Sequence, residues 1–129
     1  VTVTIPIGTS VIGGTSTADD YYTCHGQAGE WKLEAAYFAP ALAVTANGSN
    51  YVSLTIHQGF EGTSTAVSTA LTTATVSNAV GTVREFTLSE NTSREFGPTD
   101  SVFIDHDEAG SFSANVEGTV VLRFAKARV

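Results

Sequence analysis

The chain has 129 residues, enough for one domain spanning residues 1–129 that buries most of its unfolded-chain surface. Its net charge is −7 with 6 basic residues, so the body of the domain lacks the basic face that nucleic acid requires. No apolar run reaches about 18 residues, which argues against a membrane span. The single cysteine, Cys24, excludes an intrachain disulfide.

The first third of the chain predicts two strands separated by a loop. Val1 to Ile7 alternates apolar and polar residues, as a strand with one buried face does. Pro6 restricts this strand to a sheet edge or to its own end, because proline lacks the amide proton that a ladder needs. Residues 8–20 are a Gly/Ser/Thr loop, and Tyr21 to Cys24 forms a short strand.

The stretch from Trp31 to Phe60 predicts two strands joined by a turn-rich connection. Trp31 to Phe38 contains helix-forming residues, so a helix is an alternative there, but Pro40 ends it too soon and a strand is preferred. In that strand, strict alternation puts Trp31, Leu33, Ala35 and Tyr37 on one face and Lys32, Glu34, Ala36 and Phe38 on the other. The strand from Tyr51 has a dry face formed by Val52, Leu54 and Ile56.

Residues 62–80 are nearly free of charge and rich in small residues. They form either a long strand flanked by loops or an arm that lies on another subunit. A strand follows from Thr82 to Leu88, with Phe86 and Leu88 inward and Glu85 outward. The polar residues 90–98 predict a loop.

The C-terminal part predicts further strands with two turns. Ser101 to Asp105 is a strand that leads into an acidic turn from Asp105 to Gly110. The last pair, 112–116 and 119–124, is joined at Glu117-Gly118, with Ala114 among its inward residues. About eight strands without helical periodicity predict an all-β fold, an antiparallel β-sandwich of the jelly-roll type.

The ionisable residues do not form a recognisable catalytic or metal-binding motif. Asp105-His106-Asp107-Glu108 offers oxygen ligands to a cation, but its spacing is not that of a calcium loop, so a solvated turn is preferred. The spacings of Cys24, His25, His57 and His106 are not those of a zinc site. We therefore predict no metal, no cofactor and no catalytic residues.

Two classes of hydrolase also lack a supporting motif. Glycosidase chemistry needs two facing carboxylates, for which Glu34, Glu61, Glu85 and Glu90 are candidates, but a sequence does not show which of them converge. No serine lies in the Gly-x-Ser-x-Gly elbow of a hydrolase. Composition and spacing thus favour a binding or structural protein.

Two groups of residues are candidates for contact with partners. The first is the outward row of the strand from Tyr51, which serves either as a subunit interface or as a sugar-binding face and comprises Tyr51, Ser53, Thr55 and His57. The second is a basic C-terminal tail for docking, which comprises Arg123, Lys126 and Arg128.

The order of strands and turns resembles that of the small jelly-roll proteins that decorate or cement the heads of tailed bacteriophages, or form short fibres there. The similarity covers most of residues 30–124 and rests on hydrophobic spacing. The matching segments in the first half are W-x-L-x-x-A-x-F-x-P-x-x-A at Trp31 to Ala43, N-Y-V-x-L-x-I at Asn50 to Ile56, and a neutral Thr/Ala/Ser/Val stretch that ends at Gly81. Those in the second half are V-R-E-F-T-L at Val83 to Leu88, P-T-D-S-V at Pro98 to Val102 and G-T-V-V-L-R-F at Gly118 to Phe124. The glycine-rich turn of that group is only partly met by Ala109-Gly110.

This resemblance implies a virion protein on the outer surface of a phage head, assembled in the host cytoplasm. It implies a homotrimer bound to the major capsid protein, with no catalytic residues to carry over. A receptor- or carbohydrate-binding module of a fibre or spike is the alternative, and it predicts exposed aromatic residues, with candidates Trp31, Tyr37, Tyr51 and His57.

Overall fold

A computed structural model describes residues 2–9, 21–24, 30–59, 64–90, 94–97, 100–112 and 116–126. These residues form ten strands and no helix. The strands are β1 Thr2–Thr9, β2 Tyr21–Cys24, β3 Trp31–Pro40, β4 Tyr51–Gln58, β5 Thr65–Ala66, β6 Leu71–Thr72, β7 Arg84–Glu85, β8 Glu95–Phe96, β9 Ser101–Ala109 and β10 Val116–Lys126.

The strands pair into two antiparallel sheets. The first sheet has the order β1-β10-β3-β7, with β8 also paired to β3. The second has the order β2-β9-β4-β5, with β6 also paired to β4. The buried apolar side chains of both sheets form one hydrophobic core between them. The prediction of an all-β antiparallel sandwich is therefore confirmed.

The alternation predicted for β1 and β4 is confirmed. Ile5 and Ile7 of β1 are buried, and so are Val52, Leu54 and Ile56 of β4. Proline at position 6 lies in β1, which pairs only with β10 among the described residues, so the strand is at an edge as predicted. The loop predicted at 8–20 starts later, because β1 continues through Gly8 and Thr9, and Val1 and residues 10–20 lie outside the described residues.

The strict alternation predicted for β3 is wrong. Leu33, Ala36 and Phe38 are all buried, although the first differs in parity from the other two. The ladder between β3 and β10 shifts register between Arg123 and Phe124, which pair with Ala35 and Leu33. Such a bulge adds one residue to a strand and so moves the later side chains to the opposite face.

Two predicted turns lie inside strands. The acidic residues 105–108 belong to β9, so the solvated turn predicted there is wrong, and the chain turns after Ala109 at Gly110, whose φ is +66°. The predicted turn at Glu117-Gly118 is also wrong, because β10 passes through both residues. A Cβ at position 118 would press on the Ala39 carbonyl oxygen and lie 2.7 Å from a Phe38 ring carbon, so glycine permits close strand packing. Ala114 lies outside the described residues.

The segment 64–96 is less regular than predicted. Residues 64–80 form neither a long strand nor an arm reaching away from the domain, since residues 65–73 pair along β4 of their own chain and Asn78 forms a bridge to Val44. Only Arg84 and Glu85 of the strand predicted at 82–88 form a ladder, although Phe86 is buried and Glu85 exposed as predicted. Within the predicted loop at 90–98, Phe96 is fully buried in strand β8.

Candidate interaction surfaces

The outward row of β4 has the geometry that its sequence predicts. Tyr51, Ser53, Thr55 and His57 are all half-buried and alternate with the buried residues of the same strand. The neighbouring strand β9 places Asp107 opposite Ser53 and Asp105 opposite Thr55. The row therefore lies beside two carboxylates, which the linear sequence placed in a separate turn.

His57 is held by two residues of β9 and by the residue that precedes β5. Its Nδ1 lies 3.0 Å from the Ser64 hydroxyl oxygen, and its Nε2 lies 3.7 Å from an Asp105 carboxylate oxygen. Its ring packs against Phe103, with centroids 5.0 Å apart. Serine, histidine and aspartate thus meet although no sequence motif indicates it.

This trio differs from the arrangement that activates a serine nucleophile. The His57–Asp105 separation exceeds hydrogen-bond distance, so the carboxylate does not bond the ring directly. Ser64 immediately precedes β5, which pairs along the edge of β4 at Gln58 and His57. The contacts therefore fix the orientation of the imidazole and close the edge of the sheet.

Four exposed apolar side chains lie on the connections that follow β3 and precede β7. They are 37% to 64% exposed and comprise Leu42, Val76, Val80 and Val83, which we call the apolar strip. Val44 and Asn78 exchange two backbone hydrogen bonds of 2.9 Å as an isolated antiparallel bridge, which joins the two connections. Both connections carry no charged side chain, since Glu61 is the only Asp, Glu, Lys or Arg between Glu34 and Arg84.

Arg84 fastens the segment that carries the strip to the sandwich. Its guanidinium donates hydrogen bonds to the Asn78 side-chain oxygen at 2.8 Å and to the Thr72 carbonyl oxygen at 2.9 Å. Asn78 itself is buried. Burial lowers the pKa of Arg84, and the bonds to two oxygen acceptors offset the loss of water. Val76, Val80 and Val83 thus lie on a segment that Arg84 bonds to the sandwich, and their side chains are exposed to solvent.

Three of the four carboxylates considered for glycosidase chemistry share one groove. It has a volume of about 400 Å³ on the first sheet, and its ionisable lining residues are Glu34, Glu85, Glu90 and Arg94. Glu61 lies outside the described residues. The groove is a polar surface feature on the sheet opposite to His57, so the carboxylates and the histidine do not form one site.

The aromatic residues predicted for a sugar-binding face do not form an exposed platform. Trp31 is half-buried and packs against the hydrophobic core. Tyr37 lies on the first sheet and Tyr51 on the second, and both are half-buried. These rings are therefore divided between two sheets.

The basic tail is only partly described. Arg123 is exposed within β10, where it pairs with Thr2 of β1 and Ala35 of β3, so it belongs to a ladder. Lys126 is exposed at the end of β10, and Arg128 lies outside the described residues. The docking role of these residues stays a prediction.

Within the described part of the chain, no three His, Cys, Asp or Glu residues lie close enough to share a metal ion. Nor does that part contain a helix able to cross a membrane. The chain matches no protein-family model, no curated protein and no solved structure.

Proposed function

We propose that this protein is a structural virion component, a decoration or cement protein that binds the outer surface of a phage head as a homotrimer. The observation that carries the proposal is the apolar strip, because Leu42, Val76, Val80 and Val83 are solvent-exposed on two connections that carry no charge. Apolar side chains surrounded by neutral residues cost little to desolvate, which suits a surface that a partner buries.

The strand order supports the jelly-roll part of the proposal. In chain order β1 belongs to the first sheet, β2 to the second, β3 to the first and β4 to the second. The last two strands return to the centres of the sheets, with β9 between β2 and β4 and β10 between β1 and β3. This nesting is typical of an eight-stranded jelly roll, in which β5 with β6 and β7 with β8 each occupy one strand position.

The energetic role follows from binding an assembled state only. A ligand that binds the intact shell but not its separated subunits shifts the equilibrium towards the intact shell. Three linked copies strengthen this effect, because contact by one copy raises the effective concentration of the others. A mainly neutral contact persists in moderate salt, whereas any contribution from Arg123 and Lys126 weakens as salt rises.

The first test measures assembly and particle binding with one charge placed in the strip. Val80→Asp is expected to lower the mass measured by light scattering from trimer to monomer, or to reduce binding to particles that lack the protein. Thr55→Asp is the matched control on the β4 row. If the apolar strip is the interface, this variant should change neither the mass nor the binding to particles. If only Thr55→Asp acts, the interface is the β4 row, and if neither acts, the surface proposal is wrong.

The second test compares particles with and without the protein. Deletion is expected to lower the temperature at which the heads release their genome. If release is unchanged and adsorption to cells fails instead, the alternative of receptor or carbohydrate binding replaces cementing. The polar groove lined by Glu34, Glu85, Glu90 and Arg94 is then the first place to look for the ligand.

A further inference from the structure

Two ionisable side chains of β9 lie in the interior of the sandwich. His106 is 1% exposed and Glu108 is 8% exposed, and they are the only buried ionisable side chains among the residues whose side-chain burial the structure describes, which leaves out β2. They are two positions apart on one strand, so they occupy the same face, whereas Asp105 and Asp107 lie on the other. The acidic run is thus divided between solvent and core.

The described residues that pair with this part of β9, and those that face it from the first sheet, are apolar. In the ladder with β4, His106 pairs with Leu54 and Glu108 with Val52. The buried residues contributed by β1, β3, β4 and β10 across the interior are all apolar. The other buried polar side chains, Ser68, Thr73, Asn78 and Ser101, do not titrate in the range of interest, and half-buried Arg84 already bonds Asn78 and Thr72.

Neither carboxyl oxygen of Glu108 has a hydrogen-bond partner among the described residues, and both are closed to solvent. An ionised carboxylate in such a place loses its hydration without compensation, whereas a protonated carboxyl loses far less. Loss of hydration raises the pKa of Glu108 above its ordinary value of 4.5.

We propose that Glu108 holds a proton in the folded domain and releases it on unfolding. The folded domain is therefore more stable at acidic pH than at neutral pH, through the buried face of β9. The inference rests on the burial and surroundings of Glu108 and is independent of the proposed function.

The sign of the effect follows from the two protonation states. Between pH 4.5 and the raised pKa of Glu108, the folded state binds up to one proton more than the unfolded state. Stability contributed by this group therefore falls as pH rises through that window. The unfolding constant rises by up to about tenfold per pH unit from this group alone.

The experiment compares two isosteric changes at adjacent positions of β9. Glu108→Gln replaces the buried carboxyl, and Asp107→Asn, the control, replaces an exposed carboxylate on the opposite face. Unfolding by urea is measured at intervals from pH 5 to 8 for both variants and the parent. In the parent, the unfolding constant should rise with pH by up to about tenfold per pH unit because of Glu108. This rise should be absent in Glu108→Gln and present in Asp107→Asn.

Further variants separate the contribution of Glu108 from that of its neighbours. Glu108→Met serves if the glutamine variant does not fold, and His106→Gln removes any contribution from the neighbouring imidazole. A parent pH dependence that Glu108→Gln leaves unchanged overturns the proposal, because Glu108 is then ionised in the folded state. If EDTA lowers the melting temperature of the parent but not of Glu108→Gln, the carboxylate binds a cation, which also overturns it.

Discussion

The long strands and the segment 64–96 are held together by different means. The strands β1, β3, β4, β9 and β10 have 8 to 11 residues each and form long ladders over an apolar core. The segment 64–96 contains four strands of two residues each. It is attached by short ladders, isolated backbone bonds and a few polar side chains, and it contributes Val67, Phe86 and Phe96 to the core.

The edge of β4 illustrates the difference. The Ile56 amide donates to the Ser68 hydroxyl at 3.0 Å, and the Val52 amide donates to the Thr73 hydroxyl at 3.1 Å. Backbone bonds from Val67 and Thr73 fill the carbonyl side of the same edge. Side-chain hydroxyls thus replace a regular neighbouring strand, and they cover backbone groups that an open edge would offer to another chain. A sheet edge can be closed without strand periodicity.

The largest expected effect tests whether the irregular segment belongs to the core. Phe96 is fully buried and packs edge-to-face on Phe124, with centroids 5.3 Å apart. Phe96→Ala should cost about 3–5 kcal/mol of unfolding free energy, as much as Phe38→Ala in the long strand β3. Urea denaturation measures both. A cost below about 1 kcal/mol for Phe96→Ala would show that the segment is peripheral to the core. Leu42→Ala is the control, because truncation of an exposed side chain should change the unfolding free energy little.

The next prediction concerns close packing within the long ladders. Gly118→Ala should cost about 1–3 kcal/mol, because the new methyl group meets the Phe38 ring and the Ala39 carbonyl in the adjacent strand. Gly48→Ala is the control, since its Cβ would meet only the Ala74 carbonyl oxygen, at 3.9 Å. Equal melting temperatures for the two variants would contradict the assignment of Gly118 to the interior of β10.

Arg84 tests the attachment of the irregular segment. Arg84→Met keeps much of the aliphatic stem but leaves Thr72 and buried Asn78 without their donor, so we expect a cost of about 1–2 kcal/mol. Hydrogen exchange should show the loss of protection concentrated in residues 72–80. Arg123→Met, at an exposed ladder position, should stay within about 0.5 kcal/mol. Uniform loss of protection over both sheets would mean that Arg84 supports the whole core.

Two serines give the smallest and most closely matched comparison. Ser68 is buried and accepts the Ile56 amide, so Ser68→Ala should cost about 1–2 kcal/mol. Ser64 is half-buried and bonds His57, so Ser64→Ala should cost less than about 1 kcal/mol, because water can replace the hydroxyl. Thermal unfolding of the two variants checks the order. A reversed order would mean that the Ser64–His57 contact stabilises the β4 edge more than the Ile56–Ser68 hydrogen bond does.

The sequence by itself determined the elements whose local pattern and core contacts agree. Alternation located β1 and β4 and assigned their buried faces. In β4, for example, Val52, Leu54 and Ile56 can share the buried face only if the segment is a strand, in which every second side chain lies on the same face. It also placed Tyr51, Ser53, Thr55 and His57 together on the outward side of β4. The same local signals established an all-β fold.

Only the tertiary structure decided what depends on neighbouring strands. The β3 bulge depends on the register of β3 with β10. Gly118 lies within β10 and does not end it, and glycine is required there because the Phe38 ring of the adjacent strand occupies the volume of a side chain. The run 105–108 looked like a solvated turn because charged residues are seldom buried, yet pairing with β4 extends β9 and turns His106 and Glu108 inward. Contacts between residues distant in sequence, such as Ser64 with His57 and Arg84 with Asn78 and Thr72, have no local periodicity and arise only when the sheets assemble.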